Sequence, residues 1–426
     1  MSRKRSSRRQ FMSKRKDLDR MDYEENLLFT PEGVRDIYGA ECERRRTIEE
    51  NIHKIMKLYG FEYIQTPTYE FFDIFKKERG TVASKEMFKF FDQYNNTLVL
   101  RPDITPSIAR CVAKYYAREE MPIRLSYSGS TFIHRRGYQG KLSEISQIGA
   151  ELMNDSSSDA DAEMIALTVE CLAKSGLQEF KIDVGHAAFI HGILEEAGFS
   201  KEEAERYKTL LANKNLFGVE EMIEAKHVSE QWRELLIRLP DLFGGKDTLE
   251  YAREHVHSKR AMEALERLER VYEILAIYGL EESVTFDLSM LSHYEYYTGI
   301  IFKAYTYGTG EAIVTGGRYD KLIEQFGKKA PAIGLAIVLD QLMNALNRQN
   351  AHIPTDEDGV LILYHSVDRN TAIHTGNRYR NEGRRVMLMR QNTDTGLDVY
   401  RTYAAEHKIS TIVCVEADKT SVLTVH

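Results

Sequence analysis

Cysteine is scarce in this 426-residue chain: the four, Cys42, Cys111, Cys171 and Cys414, lie far apart, and no CxxC or Cys/His spacing points to zinc or to a disulfide framework. A reducing, cytoplasmic setting is the natural expectation. Long apolar runs are missing too. None approaches the roughly 18–20 residues that span a bilayer, and the N-terminus has no apolar signal-peptide stretch, so membrane and secreted readings drop out. With 8 Pro and 27 Gly against 42% apolar and 29% charged residues, the composition is neither fibrous nor disordered. The length predicts more than one domain, because single cores stop growing near 250 to 300 residues.

Charge is unevenly spread. Residues 1–16 hold eight basic side chains and no acid, so the rest of the chain carries −15 within a total of −7. An acidic body is a poor match for a phosphate backbone, and only the tail suits one. Residues 1–22 read as a basic, disordered tail.

Beyond the tail, Thr30-Pro31-Glu32 reads as a helix start, and a helix is expected at about 41–59, where Ile48, Ile52, Ile55, Met56 and Tyr59 recur at helical spacing before Gly60. A strand at 61–65 and a hairpin around Asn95-Asn96 follow, with Thr105-Pro106 capping a helix to about Ala117. Strands are expected at 124–128 and 132–135. The long strand 143–153 then alternates so that Gln147, Gly149 and Glu151 share one face. A helix opens at Asp159. Residues 200–279 read as nearly continuous helix, strands return at 284–288, 299–305 and 311–315, and a helix covers about 335–348. After a polar linker, strand and helix alternate to the end.

Four clusters place polar groups where a buried strand would prefer apolar ones: Arg101 to Thr105, Gln147 with Glu151, Tyr294 to Gly299, and Thr315 to Asp320. Carboxylates and an amide beside aromatic rings suit a small cationic ligand, of which an amino acid is the simplest. Each cluster also has a structural explanation. Thr105 can be a helix cap, Gln147 and Glu151 the wet face of an edge strand, the tyrosines core packing, and Gly316-Gly317 a turn.

Taken in order, the segments Leu98 to Thr105, 124–154, Tyr296 to Gly299, Gly316 to Asp320 and Pro331 to Ala336 resemble histidyl-tRNA synthetase from about Leu28 to Asn347. The resemblance implies an α+β fold, a class II aminoacyl-tRNA synthetase-like antiparallel sheet flanked by helices. It would comprise residues 23–198 and 283–349, interrupted by a helical insertion at 199–282 and followed by a small C-terminal α/β domain at 356–426, a shortened anticodon-binding-like unit. It also implies histidine binding by Asp103 (Glu in the family), Thr105, Gln147, Glu151 and Tyr297, with Glu295 and Tyr296 as neighbours.

The phosphate-binding half departs from the family. The positions of its arginines and their partners hold Ile133, Arg135, Ser292 and Gln341, and His293 replaces a glycine. Adenylate chemistry needs cations against a triphosphate. Retention of the amino-acid pocket with loss of that half is similar to the regulatory subunits of ATP phosphoribosyltransferase. That likeness implies no catalytic residue, cofactor or metal of its own. It implies a short-form catalytic subunit as partner, a homodimer within a hetero-oligomer (a hetero-octamer in the family), L-histidine as ligand, and no role for membrane or nucleic acid. The alternatives are a divergent histidyl-tRNA synthetase and a tRNA-binding sensor derived from it.

Overall fold

The computed structural model describes residues 28–75, 82–134, 141–291, 296–353, 359–392, 394–416 and 419–425. The basic tail, Arg135, Ser292, His293, Glu295 and most of the polar linker lie outside the described residues. Two compact units emerge, Met1–Ile353 and Pro354–His426.

Thr30-Pro31 does not begin a helix. The Thr30 hydroxyl donates to the Val34 carbonyl at 2.9 Å, closing a turn, and helix α1 starts eight residues beyond Pro31, spanning Gly39–Leu58. Its expected apolar stripe, Ile48, Ile52, Ile55 and Met56, is buried, and Gly60 takes the positive φ of 80° that lets the chain turn back. Strand β1 (Glu62–Tyr63) leads to a small antiparallel sheet of β2 (Tyr69–Phe71), β3 (Lys89–Phe91) and β4 (Thr97–Leu100), in the order β2-β4-β3. Helix α2 spans Thr105–Tyr115.

Where two short strands were expected around 124–135, one ten-residue strand, β5 (Ile123–Phe132), pairs along its length with β6 (Glu144–Met153). Polar Ser128, Gly129 and Ser130 suggest a break in the sequence, yet the backbone stays extended because each pairs across the ladder with β6, opposite Ile148, Gln147 and Ser146. Next come α3 (Ser158–Lys174), β7 (Lys181–His186) and α4 (Ala187–Glu196). The helical segment resolves into α5 (Lys201–Ala212), α6 (Leu216–Lys226), α7 (Glu230–Arg238), α8 (Lys246–His255) and α9 (Lys259–Ile277), with the short strand β8 (Phe243–Gly244) inside it. Then β9 (Val284–Asp287), β10 (Ile300–Tyr305), β11 (Val314–Arg318), β12 (Ala332–Val338) and α10 (Leu339–Arg348) complete the first unit.

Two expectations fail here for one reason. Gly316 and Gly317 are not a turn but the middle of β11, and the helix expected from 335 begins at Leu339 because 332–338 is strand. Both strands are interior and nearly fully buried, so neither shows the alternation that marks a half-exposed strand. Rings cover the glycines: a β-carbon on Gly316 would fall 2.1 Å from Phe302 Cζ, and one on Gly317 3.0 Å from Tyr297 Cζ.

The nine strands of the large sheet run β1-β5-β6-β12-β11-β10-β7-β9-β8, antiparallel except for β1 with β5 and β7 with β9. One face carries Ile148, Ala150, Leu152, Ile333, Leu335 and Ile337 against the helices. Leu125, Tyr127 and Tyr319 pack with Ile104, Ile108 and Val112 of the α2 region on the other. In the second unit, β13 (Gly359–Tyr364), α11 (Arg369–Asn381), β14 (Arg385–Arg390), α12 (Leu397–Glu406), β15 (Thr411–Glu416) and β16 (Lys419–Thr424) form a sheet ordered β14-β13-β15-β16. This is the α/β alternation expected, with a final hairpin strand added. Among the described residues no helix is long and apolar enough to cross a membrane.

Candidate amino-acid pocket

Strand β6 is not an edge. It lies between β5 and β12, so Gln147 and Glu151 point into an enclosed face, not into water. The register sets Glu151 opposite Gly334 and Gly149 opposite Ala336. Small residues on β12 leave room above the sheet for the longer side chains of β6.

Thr105 does not cap α2 with its side chain. It is the first residue of the helix, and its hydroxyl donates instead to Glu151 Oε1 at 2.7 Å. Tyr319 donates to the other oxygen, Oε2, at 2.6 Å. Asp103 accepts the Thr105 N–H at 3.2 Å and the Tyr296 hydroxyl at 3.1 Å. The rings of Tyr296 and Tyr297 meet edge to face at 5.1 Å, and Tyr296 stands 5.8 Å from Tyr319. These residues line one small, partly open pocket.

The structure thus brings Asp103, Thr105, Gln147, Glu151, Tyr296 and Tyr297 to one pocket. Glu295 lies outside the described residues. Tyr319, Thr315 and Gly334 also line it and are absent from the set expected as ligands. Their signal is faint: Tyr319 and Thr315 sit in one of the four polar clusters, but only the strand register shows which side each faces.

The electrostatics have one sign. Burial pushes the Glu151 carboxyl up to about 8, against the opposing effect of the Tyr319 and Thr105 hydroxyls, and burial likewise raises Asp103. No cation among the described residues forms an ion pair with either. The Gln147 Oε1 is buried without a hydrogen-bond partner, a cost of about 1–3 kcal/mol that a bound donor would relieve. Two carboxyls and an orphan acceptor, walled by phenol rings, can take a small ligand rich in N–H donors and carrying positive charge.

The rim differs. Ile133 stands just past the end of β5, its N–H on the Ser143 carbonyl at 2.9 Å. Gln341, in the first turn of α10, donates to Glu311 at 3.0 Å, and Glu311 pairs with Lys141 at 2.6 Å. Arg135 and Ser292 lie outside the described residues. The two arginines of the nearby motifs are committed elsewhere. Arg101 is buried, donating to the carbonyls of Thr66, Pro67 and Ser130, and Arg318 is buried against Asp161. Among the described residues no cluster of His, Cys, Asp or Glu could hold a metal ion.

Comparison with known proteins gives the family. A family model described as histidyl-tRNA synthetase matches residues 33–342. The ATP phosphoribosyltransferase regulatory subunit of Acetivibrio thermocellus is 36% identical over 92% of this chain and 93% of its own. That of Ruminiclostridium cellulolyticum is 37% identical over 93% and 94%. Among solved structures, an ATP phosphoribosyltransferase regulatory subunit/histidyl-tRNA synthetase from Bacillus halodurans superposes with a TM-score of 0.80 at 31% identity, covering 88% of this chain and 96% of that one. Histidyl-tRNA synthetase from Nostoc shares the fold at a TM-score of 0.78 and 18% identity, over 93% of this chain and 96% of that one. The chain belongs to the ATP phosphoribosyltransferase regulatory subunits, non-catalytic subunits built on the histidyl-tRNA synthetase fold.

Proposed function

We propose that this subunit binds L-histidine in the β6/β12 pocket and, assembled with a short-form catalytic subunit, supports and feedback-regulates the joining of ATP to phosphoribosyl pyrophosphate, the first step of L-histidine biosynthesis in the cytoplasm. The observation that carries the reading is the unpartnered Gln147 Oε1 in a pocket with two carboxyls and no cation. Histidine supplies the matching groups: an ammonium for Asp103, and ring nitrogens for Glu151, Gln147 and the Tyr297 phenol. Phosphate-binding chemistry finds no counterpart at Ile133 and Gln341. Feedback then follows from linkage. Histidine favours one arrangement of the complex by its differential affinity, a coupling of about 1–3 kcal/mol in typical cases.

The resemblance supports a homodimer of the synthetase-like part within a hetero-oligomer, a hetero-octamer as in the family. Co-purification with the short catalytic subunit from the same source tests the reading, followed by activity with and without this chain over a histidine series. Stimulation by this chain and its reversal by histidine are expected. A catalytic subunit fully active alone and indifferent to this chain would overturn it.

A further inference from the structure

Behind the pocket, on the helix face of the large sheet, Asp161 of α3 has 0% exposure and holds two arginines. Arg318 donates from Nε to its Oδ1 at 2.8 Å, and Arg267 from Nε to its Oδ2 at 2.7 Å. The two cations come from different parts of the fold: Arg318 ends β11, whereas Arg267 lies midway along α9, the last helix of the helical segment. Both also grip the loop that joins β6 to α3. Arg267 Nη2 donates to the carbonyls of Ser156 at 2.8 Å and Ser157 at 2.6 Å, and Arg318 Nη1 to that of Asp155 at 2.9 Å.

Arg318 and Tyr319 are consecutive and face opposite sides of the sheet, as strand geometry requires. Tyr319 holds Glu151 inside the pocket, and Arg318 holds Asp161 behind it. The Arg318 carbonyl also accepts the Thr298 N–H at 2.8 Å, tying down the segment that bears Tyr296 and Tyr297. A displacement of the pocket wall therefore moves the Arg318 guanidinium. A buried carboxylate shared by two guanidiniums resists gradual distortion, because displacing either breaks charge-assisted hydrogen bonds at a site where no water replaces them.

We infer that the Arg318–Asp161–Arg267 link couples occupancy of the pocket to helix α9, making Arg267 a positioning residue for ligand binding although its hydrogen bonds go to Asp161 and to the Ser156 and Ser157 carbonyls. The inference rests on the histidine reading of the pocket. Coupling is reciprocal: histidine alters the constraint on α9, and changes at α9 alter histidine affinity by the same factor.

The test is calorimetric titration of L-histidine into the full chain as wild type, R267M, R267K and R253M, with hydrogen exchange of residues 259–277 measured in the presence and absence of histidine. R267M weakens histidine binding by between about 5-fold and about 150-fold, the range of typical couplings. R267K keeps the charge but loses the planar fork and falls in between. R253M removes an ion pair to Glu269 on the same helix and leaves affinity unchanged. Histidine changes α9 exchange in the wild type and not in R267M. Should R267M fail to fold, R267K carries the comparison. Wild-type affinity in R267K or in a folded R267M, or wild-type α9 exchange indifferent to saturating histidine, overturns the coupling alone. Failure of wild type to bind histidine overturns the pocket reading and the coupling with it.

Discussion

The Glu151 carboxylate fills the space that a side chain on residue 334 would need: a β-carbon on Gly334 falls 1.7 Å from Glu151 Oε2. The same oxygen receives the Tyr319 hydroxyl. Gly334→Ala must push the carboxylate off that bond. A destabilisation of about 1–3 kcal/mol is expected, as for other overpacked cores, with at least a tenfold loss of histidine affinity. Denaturant unfolding and calorimetry on the same preparation check both.

Gln147→Leu should act in opposite directions on stability and binding. Removing a buried acceptor that has no partner stabilises the empty protein by about 1–3 kcal/mol, since no hydrogen bond is lost. Histidine binding falls at least tenfold. A variant that loses both stability and affinity would show that Gln147 is bonded in the empty protein.

The pH dependence of stability follows from Glu151. Its folded value, about 8, lies above the ordinary carboxylate range, so the folded state retains a proton that the unfolded chain gives up near pH 4.5. Stability is therefore fully present below that pH and lost as pH rises towards 8, at about 1.4 kcal/mol per unit. Glu151→Gln removes this loss, so its stability relative to wild type climbs between pH 5 and 8. Thermal melts across that range measure it, and parallel curves for the two proteins would refute the assignment. Binding of cationic histidine should draw the proton off Glu151, seen as buffer-dependent calorimetric heat.

An ATP–pyrophosphate exchange assay with histidine should read as background. Hydrophobic Ile133 and the Glu311-bound amide of Gln341 supply no positive charge to a triphosphate. Measurable exchange would restore the alternative of a divergent synthetase.

Elements whose two faces differ in polarity were the ones legible in the chain. The stripe of α1 and the alternation of β6 report their buried faces directly, and the latter sufficed to group Gln147 with Glu151. The interior strands β11 and β12 gave no such signal: Ala332 to Val338 is apolar on both sides and from 335 reads as helix, and the two glycines of β11 read as a turn although rings lie over them. Tyr319 escaped selection as a ligand because its role depends on a register between strands far apart in sequence. The hydroxyl of Thr105 misled for a different reason: a threonine before a proline has a local use as a cap, and a carboxylate 46 residues away competes for it.

Within the hairpin of the two ten-residue strands β5 and β6, the pocket residues and Ile133 lie apart. Gln147 and Glu151 sit in the paired interior, whereas Ile133 lies at its loop end, just past β5. Residues at such a tip carry little of the fold's stability and tolerate exchange, while those in the paired interior are held by neighbours on both sides. Phosphate-binding chemistry is therefore the trait this fold can lose with least effect on the pocket. A descendant could shed it residue by residue at the hairpin end while the pocket stayed intact, which would make an enzyme of this shape a ready precursor of a sensor.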